Sequence, residues 1–173
     1  MITWTKGDIL SSGAEALVNT VNTVGVMGKG IALQFKEYFP HNYKAYLAAC
    51  KNKELEPGKL LVVWDENLQT GRKLIINFPT KVHWRSPSRY EYIEKGLDAL
   101  KGLLADKEVK SVAVPPLGCG NGGLDWAKVS PMIENKLGDL DLEILVYEPH
   151  DTIKEVLQKN TIKKEVKLTP ARA

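Results

Sequence analysis

Two glycine-rich turns carry the residue types and spacing best suited to chemistry. The first runs Val18, Asn19, Thr20, Val21, Asn22, Thr23, Val24, Gly25, Val26, Met27, Gly28, Lys29, Gly30 and enters a helical pattern at Ile31. Its three glycines let backbone N–H groups approach an anion closely, and the N-terminus of the following helix favours negative charge. A diphosphate fits that description, although neither a Walker A nor a Rossmann spacing is present. On local features alone the turn reads equally as a tight strand-to-helix connection. The second turn is Pro115, Pro116, Leu117, Gly118, Cys119, Gly120, Asn121, Gly122, Gly123, Leu124, with four glycines in six residues. That density carries an entropic cost which a plain connector need not incur, and two such turns on one sheet suggest a clamp. No histidine lies near Cys119 in sequence to activate it, so it reads as a small buried thiol rather than a nucleophile.

A third turn, Thr80, Lys81, Val82, His83, Trp84, Arg85, Ser86, Pro87, Ser88, Arg89, is basic. From Asn67 through Tyr90 there are five cations (Arg72, Lys73, Lys81, Arg85, Arg89) and no acidic residue. Cations interleaved with His83, Trp84 and Tyr90 suit single-stranded nucleic acid, where phosphates meet charge and bases stack on rings. Read without context, the same segment is a solvated basic loop. Asp8, directly after the first strand, either caps its turn or accepts from an exocyclic amine.

These turns need strands before them and helices behind them. Short β-branched runs at 2–5, 16–19, 60–64, 73–78, 111–115 and 142–147 predict strands. Helical patterns fall at 29–38, 41–50, 88–104, 125–137 and 151–159. The clearest places Ile93, Leu97, Leu100 and Leu104 on one face, with Ser88 and Glu91 spaced as a capping box. Strands apolar without alternation are expected when helices cover both faces of a sheet, so the pattern predicts an α/β sandwich.

The chain has 173 residues, 43% hydrophobic and 26% charged, which is the size and composition of one globular domain with a proper core. Its net charge of +3 is too small to mark a nucleic-acid binder by itself. Two cysteines, Cys50 and Cys119, fit neither a zinc spacing nor a disulfide framework, which points to a reducing compartment. No metal or cofactor is expected. With no charged leader and no membrane-length apolar segment, the expected location is the cytoplasm. The domain is expected over 1–155, with 156–173 as a helix end and basic tail that could begin a linker.

Taken together, Gly7-Asp8-Ile9, Val18-Asn19-Thr20-Val21-Asn22 and Pro116-Leu117-Gly118-Cys119-Gly120, in that order and each after a strand, resemble the macrodomain family over roughly residues 1–150. The run Phe78-Pro79-Thr80-Lys81 with His83-Trp84-Arg85 is similar to the lysine-dependent branch, in which antitoxin members reverse thymidine ADP-ribosylation of DNA. The resemblance implies a three-layer α/β/α sandwich with a mixed central sheet. It implies that Asp8 and Ile9 hold adenine, Asn22 faces the distal ribose, and Lys81 sits beside its anomeric carbon. Val26, Met27, Gly28, Lys29, Gly30 and Ile31 would wrap the diphosphate from one side. Pro116, Leu117, Gly118, Cys119, Gly120, Asn121, Gly122, Gly123 and Leu124 would wrap it from the other, with Asn19, Thr20 and Tyr147 completing the ligand contacts. His83, Trp84, Arg85 and Arg89 would meet nucleic acid. The implied activity is hydrolysis of ADP-ribose from thymidine in single-stranded DNA by a monomer. ADP-ribose is then both ligand and product, and a DarT-type toxin is the implied protein partner. The alternatives are a non-catalytic ADP-ribose reader, or a hydrolase of ADP-ribosyl glutamate or O-acetyl-ADP-ribose. Where one member of the branch carries an aspartate after Gly-Cys-Gly, this chain reads Asn121-Gly122-Gly123. Asp125, at the next helix start, reads as an N-cap.

Overall fold

Successive side chains of a strand point to opposite faces, and here both faces are apolar. Along β2 (Ala16–Val21), Ala16 and Val18 enter one core cluster while Leu17 enters another. Along β4 (Gly71–Pro79), Leu74, Ile76 and Phe78 join the first and Ile75 the second. Strands of this kind must be covered on both sides, and they are. In the computed structural model, which describes residues 1–106 and 108–149, α3 (Tyr90–Asp106) and α4 (Trp126–Leu137) pack against each other over the first face. The other face is covered by α1 (Gly30–Tyr38) and α2 (Pro40–Lys51). The predicted face of α3, Ile93, Leu97, Leu100 and Leu104, is buried as a unit. Each such side chain contributes about 1.5–3 kcal/mol by leaving water. The helix lies so close to β4 that a β-carbon on Gly96 would come within 2.2 Å of Phe78 Cζ.

The six strands run in the order β1 (Ile2–Thr5), β6 (Glu143–Tyr147), β5 (Ser111–Val114), β2, β4, β3 (Leu61–Asn67). All neighbours are parallel except β3, which is antiparallel to β4. The result is a mixed sheet between two helical layers, as expected. From β2 the chain moves to one side of the sheet, and from β5 to the other. The carboxyl ends of these two adjacent strands therefore form a topological switch point, where open α/β sheets hold ligands. The two glycine-rich turns leave from those two ends.

Several boundaries differ from the sequence reading. β3 and β4 extend as a hairpin beyond the expected strands through Asp65, Glu66 and Asn67 on one side and Gly71 and Arg72 on the other, residues that carry no apolar signal. Asn67 closes it by accepting from the N–H groups of Gln69 and Thr70. The capping box does not form, because α3 starts at Tyr90 and the Ser88 hydroxyl has no hydrogen-bond partner among the described residues. Ser88 instead donates its backbone N–H to Gly122 O at 3.0 Å, which draws it away from the helix. The helix read at 151–159 and the tail beyond it lie outside the described residues.

Candidate active site

The first turn is organised by the side chain of Asn22. Its Oδ1 accepts from the N–H groups of Val24, Gly25 and Val26 at 3.0–3.3 Å, and its Nδ2 donates to Val26 O at 2.7 Å. Behind it, the buried Tyr46 hydroxyl of α2 donates to both oxygens of Asn22 at 2.9 Å. The turn ends at Lys29, the N-cap of α1, whose side chain caps none of the helix's first N–H groups, and no acidic residue occupies the first turn. Uncapped amides at a helix start form a ready anion site.

The second turn folds as a 3-10 turn over Gly120–Gly122, with Gly118, Gly120 and Gly123 at positive φ. Gly122 is held against Ser88 so tightly that a β-carbon would sit 2.4 Å from its Oγ. The two turns meet, since a β-carbon on Gly30 would lie 3.8 Å from Asn121 Nδ2.

The third turn joins both. Thr23 donates its N–H and its hydroxyl to Val82 O at 3.0 and 2.8 Å. Lys81 Nζ donates to Trp84 O at 3.3 Å and to Asn121 O at 3.1 Å. The amine therefore rests beside the second glycine turn. Burial first, and the charge of Lys29 second, lower its pKa.

A separate group gathers at the end of β1 and β6. Asp8 caps a short 3-10 turn by accepting from Leu10 N–H and the Ser11 hydroxyl, and remains exposed. Ile9 and Tyr147 pack in one buried cluster beside it. Burial, then the Asp8 carboxylate, raises the Tyr147 pKa, while a hydrogen bond with Ser12 opposes the rise.

This layout of strand ends and turns is that of a known fold family. The sequence profile of the Macro domain matches residues 18–133. The chain belongs to the macrodomain family. It is 48% identical over 174 residues to a DNA ADP-ribosyl glycohydrolase of Thermus aquaticus, covering all of this chain and 48% of that protein. The macrodomain of Mycobacterium tuberculosis DarG superposes with a TM-score of 0.82 at 52% identity, covering 86% of this chain and 98% of that one. Thermosipho africanus DarTG in complex with ADP-ribose superposes at 0.81 with 37% identity, covering 90% and 43%. The chain spans less than half the length of the curated relatives to which it is about 50% identical.

Within this macrodomain not every residue singled out from sequence reaches the open end. Asn19 is fully buried in the sheet, bonded to Asn77, which in turn pairs with Asn42. Leu117 and Met27 point into the core, so only their backbone is available to a ligand. Cys119 donates to Leu117 O, and burial, helped by Asp125, pushes its thiol up to about 11, the opposite of an activated nucleophile. Asp125 caps α4 through Ala127 N–H. His83 and Trp84 stack at 5.6 Å, Arg85 lies 4.5 Å over the Trp84 ring, and all three are exposed. Arg89 pairs with Glu91 at the surface. Sequence reasoning missed Tyr46 and the Thr23–Val82 tie. A tyrosine on the buried face of a helix signals that its hydroxyl needs a partner, but not which one. Among the described residues no helix is long and apolar enough to cross a membrane.

Proposed function

We propose that this macrodomain hydrolyses the bond between the distal ribose of ADP-ribose and a thymidine base of single-stranded DNA. The observation that carries the reading is the Lys81 amine, held by two backbone carbonyls against the second glycine turn, with its pKa lowered and, among the described residues, no carboxylate bonded to it. The diphosphate lies between the uncapped start of α1 and the amides of the second turn, and adenine lies by Asp8, Ile9 and Tyr147. This directs the distal ribose toward Lys81 and the Asn22 turn.

A lowered pKa raises the fraction of neutral amine, the form able to attack carbon. In that route Nζ bonds to the anomeric carbon as the bond to the base breaks, and the base leaves with a proton. Water then displaces the amine and yields free ADP-ribose. In the other route the ammonium delivers the proton and water attacks directly. Exposed His83, Trp84, Arg85 and Arg89 hold the flanking strand through stacking and phosphate contacts. The likeness to DarG proteins supports an ADP-ribosyltransferase toxin of DarT type as the source of the modified DNA. The reading further comprises a monomer acting in the cytoplasm, with residues 1–155 as the functional unit and no metal or cofactor.

The test is incubation with an oligonucleotide carrying ADP-ribosylated thymidine, with unmodified strand as the readout. Wild type is expected to release the strand and to do so in the presence of a chelator. Lys81→Ala is expected to bind ADP-ribose and release nothing. Binding without release by the wild type would make the chain a reader. Faster release from ADP-ribosyl glutamate or O-acetyl-ADP-ribose would change the substrate.

A further inference from the structure

Large apolar side chains gathered in water mark a contact surface. Val24 is 45% exposed, Val26 40%, Leu47 36%, Val82 43% and Trp84 37%, and all five border the first and third turns. Val24 follows Thr23, which bonds twice to Val82 O. Leu47 adjoins Gly25, where a β-carbon would lie 3.5 Å from Leu47 Cδ2. The other exposed large hydrophobics among the described residues, Met1, Trp64 and Leu68, sit at the first residue or on the β3–β4 hairpin. The apolar rim is thus specific to this mouth. It also begins at the amine, because Val82 follows Lys81 and the amine bonds to the Trp84 carbonyl.

Neither a diphosphate nor a ribose rewards aliphatic side chains left in water. The group on the far side of the anomeric bond does, since a base has apolar faces. Among DNA bases thymine alone adds a methyl group, which apolar side chains recognise by contact. The flanking Arg85 and Arg89, in a stretch without acidic residues from Asn67 to Tyr90, match a polyanion.

We infer that Val24 and Val82 form the subsite for the departing base and set a preference for thymine through its 5-methyl group, with Trp84 as the neighbouring ring. The inference rests on the glycohydrolase reading. A protein seated on the same rim is the rival, and the experiment separates the two.

Hydrolysis is measured on two ADP-ribosylated oligonucleotides that differ only in having thymidine or 2′-deoxyuridine at the modified position. The enzymes are the wild type and a Val24→Ser/Val82→Ser double variant, and ADP-ribose affinity is measured in parallel. Wild type is expected to favour the thymidine substrate in kcat/KM by about fourfold, the scale of one methyl group taken from water. The double variant is expected to bring that ratio close to one, while its ADP-ribose affinity stays within about twofold, the usual reach of a surface substitution. A double variant that keeps the wild-type ratio overturns the inference and leaves the rim to a protein partner. So does a wild type indifferent to the methyl group. If the wild type turns over neither oligonucleotide, the glycohydrolase reading falls and this subsite with it.

Discussion

The Tyr46 hydroxyl donates to the side-chain and main-chain oxygens of Asn22, at 2.9 Å each. Asn22 in turn gathers three N–H groups of its own turn, so a group inside α2 sets the shape of the first glycine-rich turn. Burial, followed by the nearby Cys50, holds the tyrosine pKa well above its ordinary value, so it remains a donor at any working pH.

Tyr46→Phe keeps the ring and removes the donor. Leaving buried oxygens short of a partner costs about 1–3 kcal/mol of stability. A looser turn is expected to weaken ADP-ribose by about tenfold, or 1.4 kcal/mol. Calorimetric titration of the variant checks this, and wild-type affinity would show that the turn holds its shape without α2.

The strands and the turns after them were legible because each has its own local signal, such as the β-branched run Ser111–Val114 followed by the glycines from Gly118. The contacts that make these turns a site were not. Lys81 meets Asn121 across 40 residues of sequence, and Thr23 meets Val82 across 59. Such pairings follow from the strand order, which the apolar runs do not specify. The Ser88–Glu91 spacing misled for the same reason, since a tertiary bond to Gly122 takes Ser88 from the helix it would have capped.

Lys81 makes the pH dependence of catalysis diagnostic. Its pKa is lowered, so the neutral amine becomes abundant at a lower pH than for an ordinary lysine near about 10.4. With amine attack, kcat is expected to rise with pH and to level off below that value. Lys29→Gln removes the second cause of the shift, and is expected to move the rising limb to higher pH at saturating substrate. A rate that falls as pH rises over the same range would assign proton delivery to Lys81 instead.

Ser88 and Gly122 predict opposite outcomes for two small substitutions. The Ser88 hydroxyl is buried without a partner among the described residues, so Ser88→Ala is expected to leave stability unchanged or raise it by up to about 1 kcal/mol. Gly122→Ala places a methyl group 2.4 Å from Ser88 Oγ and 3.0 Å from its Cβ, which forces the two turns apart. Loss of about 1–3 kcal/mol is expected from that overpacking, along with weaker ADP-ribose binding. Adding Ser88→Gly to Gly122→Ala removes the clashing side chain and is expected to restore part of both. Thermal melts and titrations on the three proteins decide the matter, and a Gly122→Ala protein that binds normally would uncouple the third turn from the second.

The exposed stack of His83, Trp84 and Arg85 has a consequence in salt. On the proposed reading, free ADP-ribose would meet mostly backbone amides, whereas a modified strand would also lay phosphates against Arg85 and Arg89. Each neutralised phosphate on a single strand contributes a slope of about −0.7 in log affinity against log salt. Affinity for the modified oligonucleotide is therefore expected to fall more steeply with salt than affinity for ADP-ribose, by a slope difference of about one to two. Arg85→Ala is expected to remove about 0.7 of that difference. Arg89, already paired with Glu91 at 3.6 Å, is expected to contribute less than Arg85. Equal salt slopes for strand and free nucleotide would mean that the third turn shapes the pocket without touching the strand.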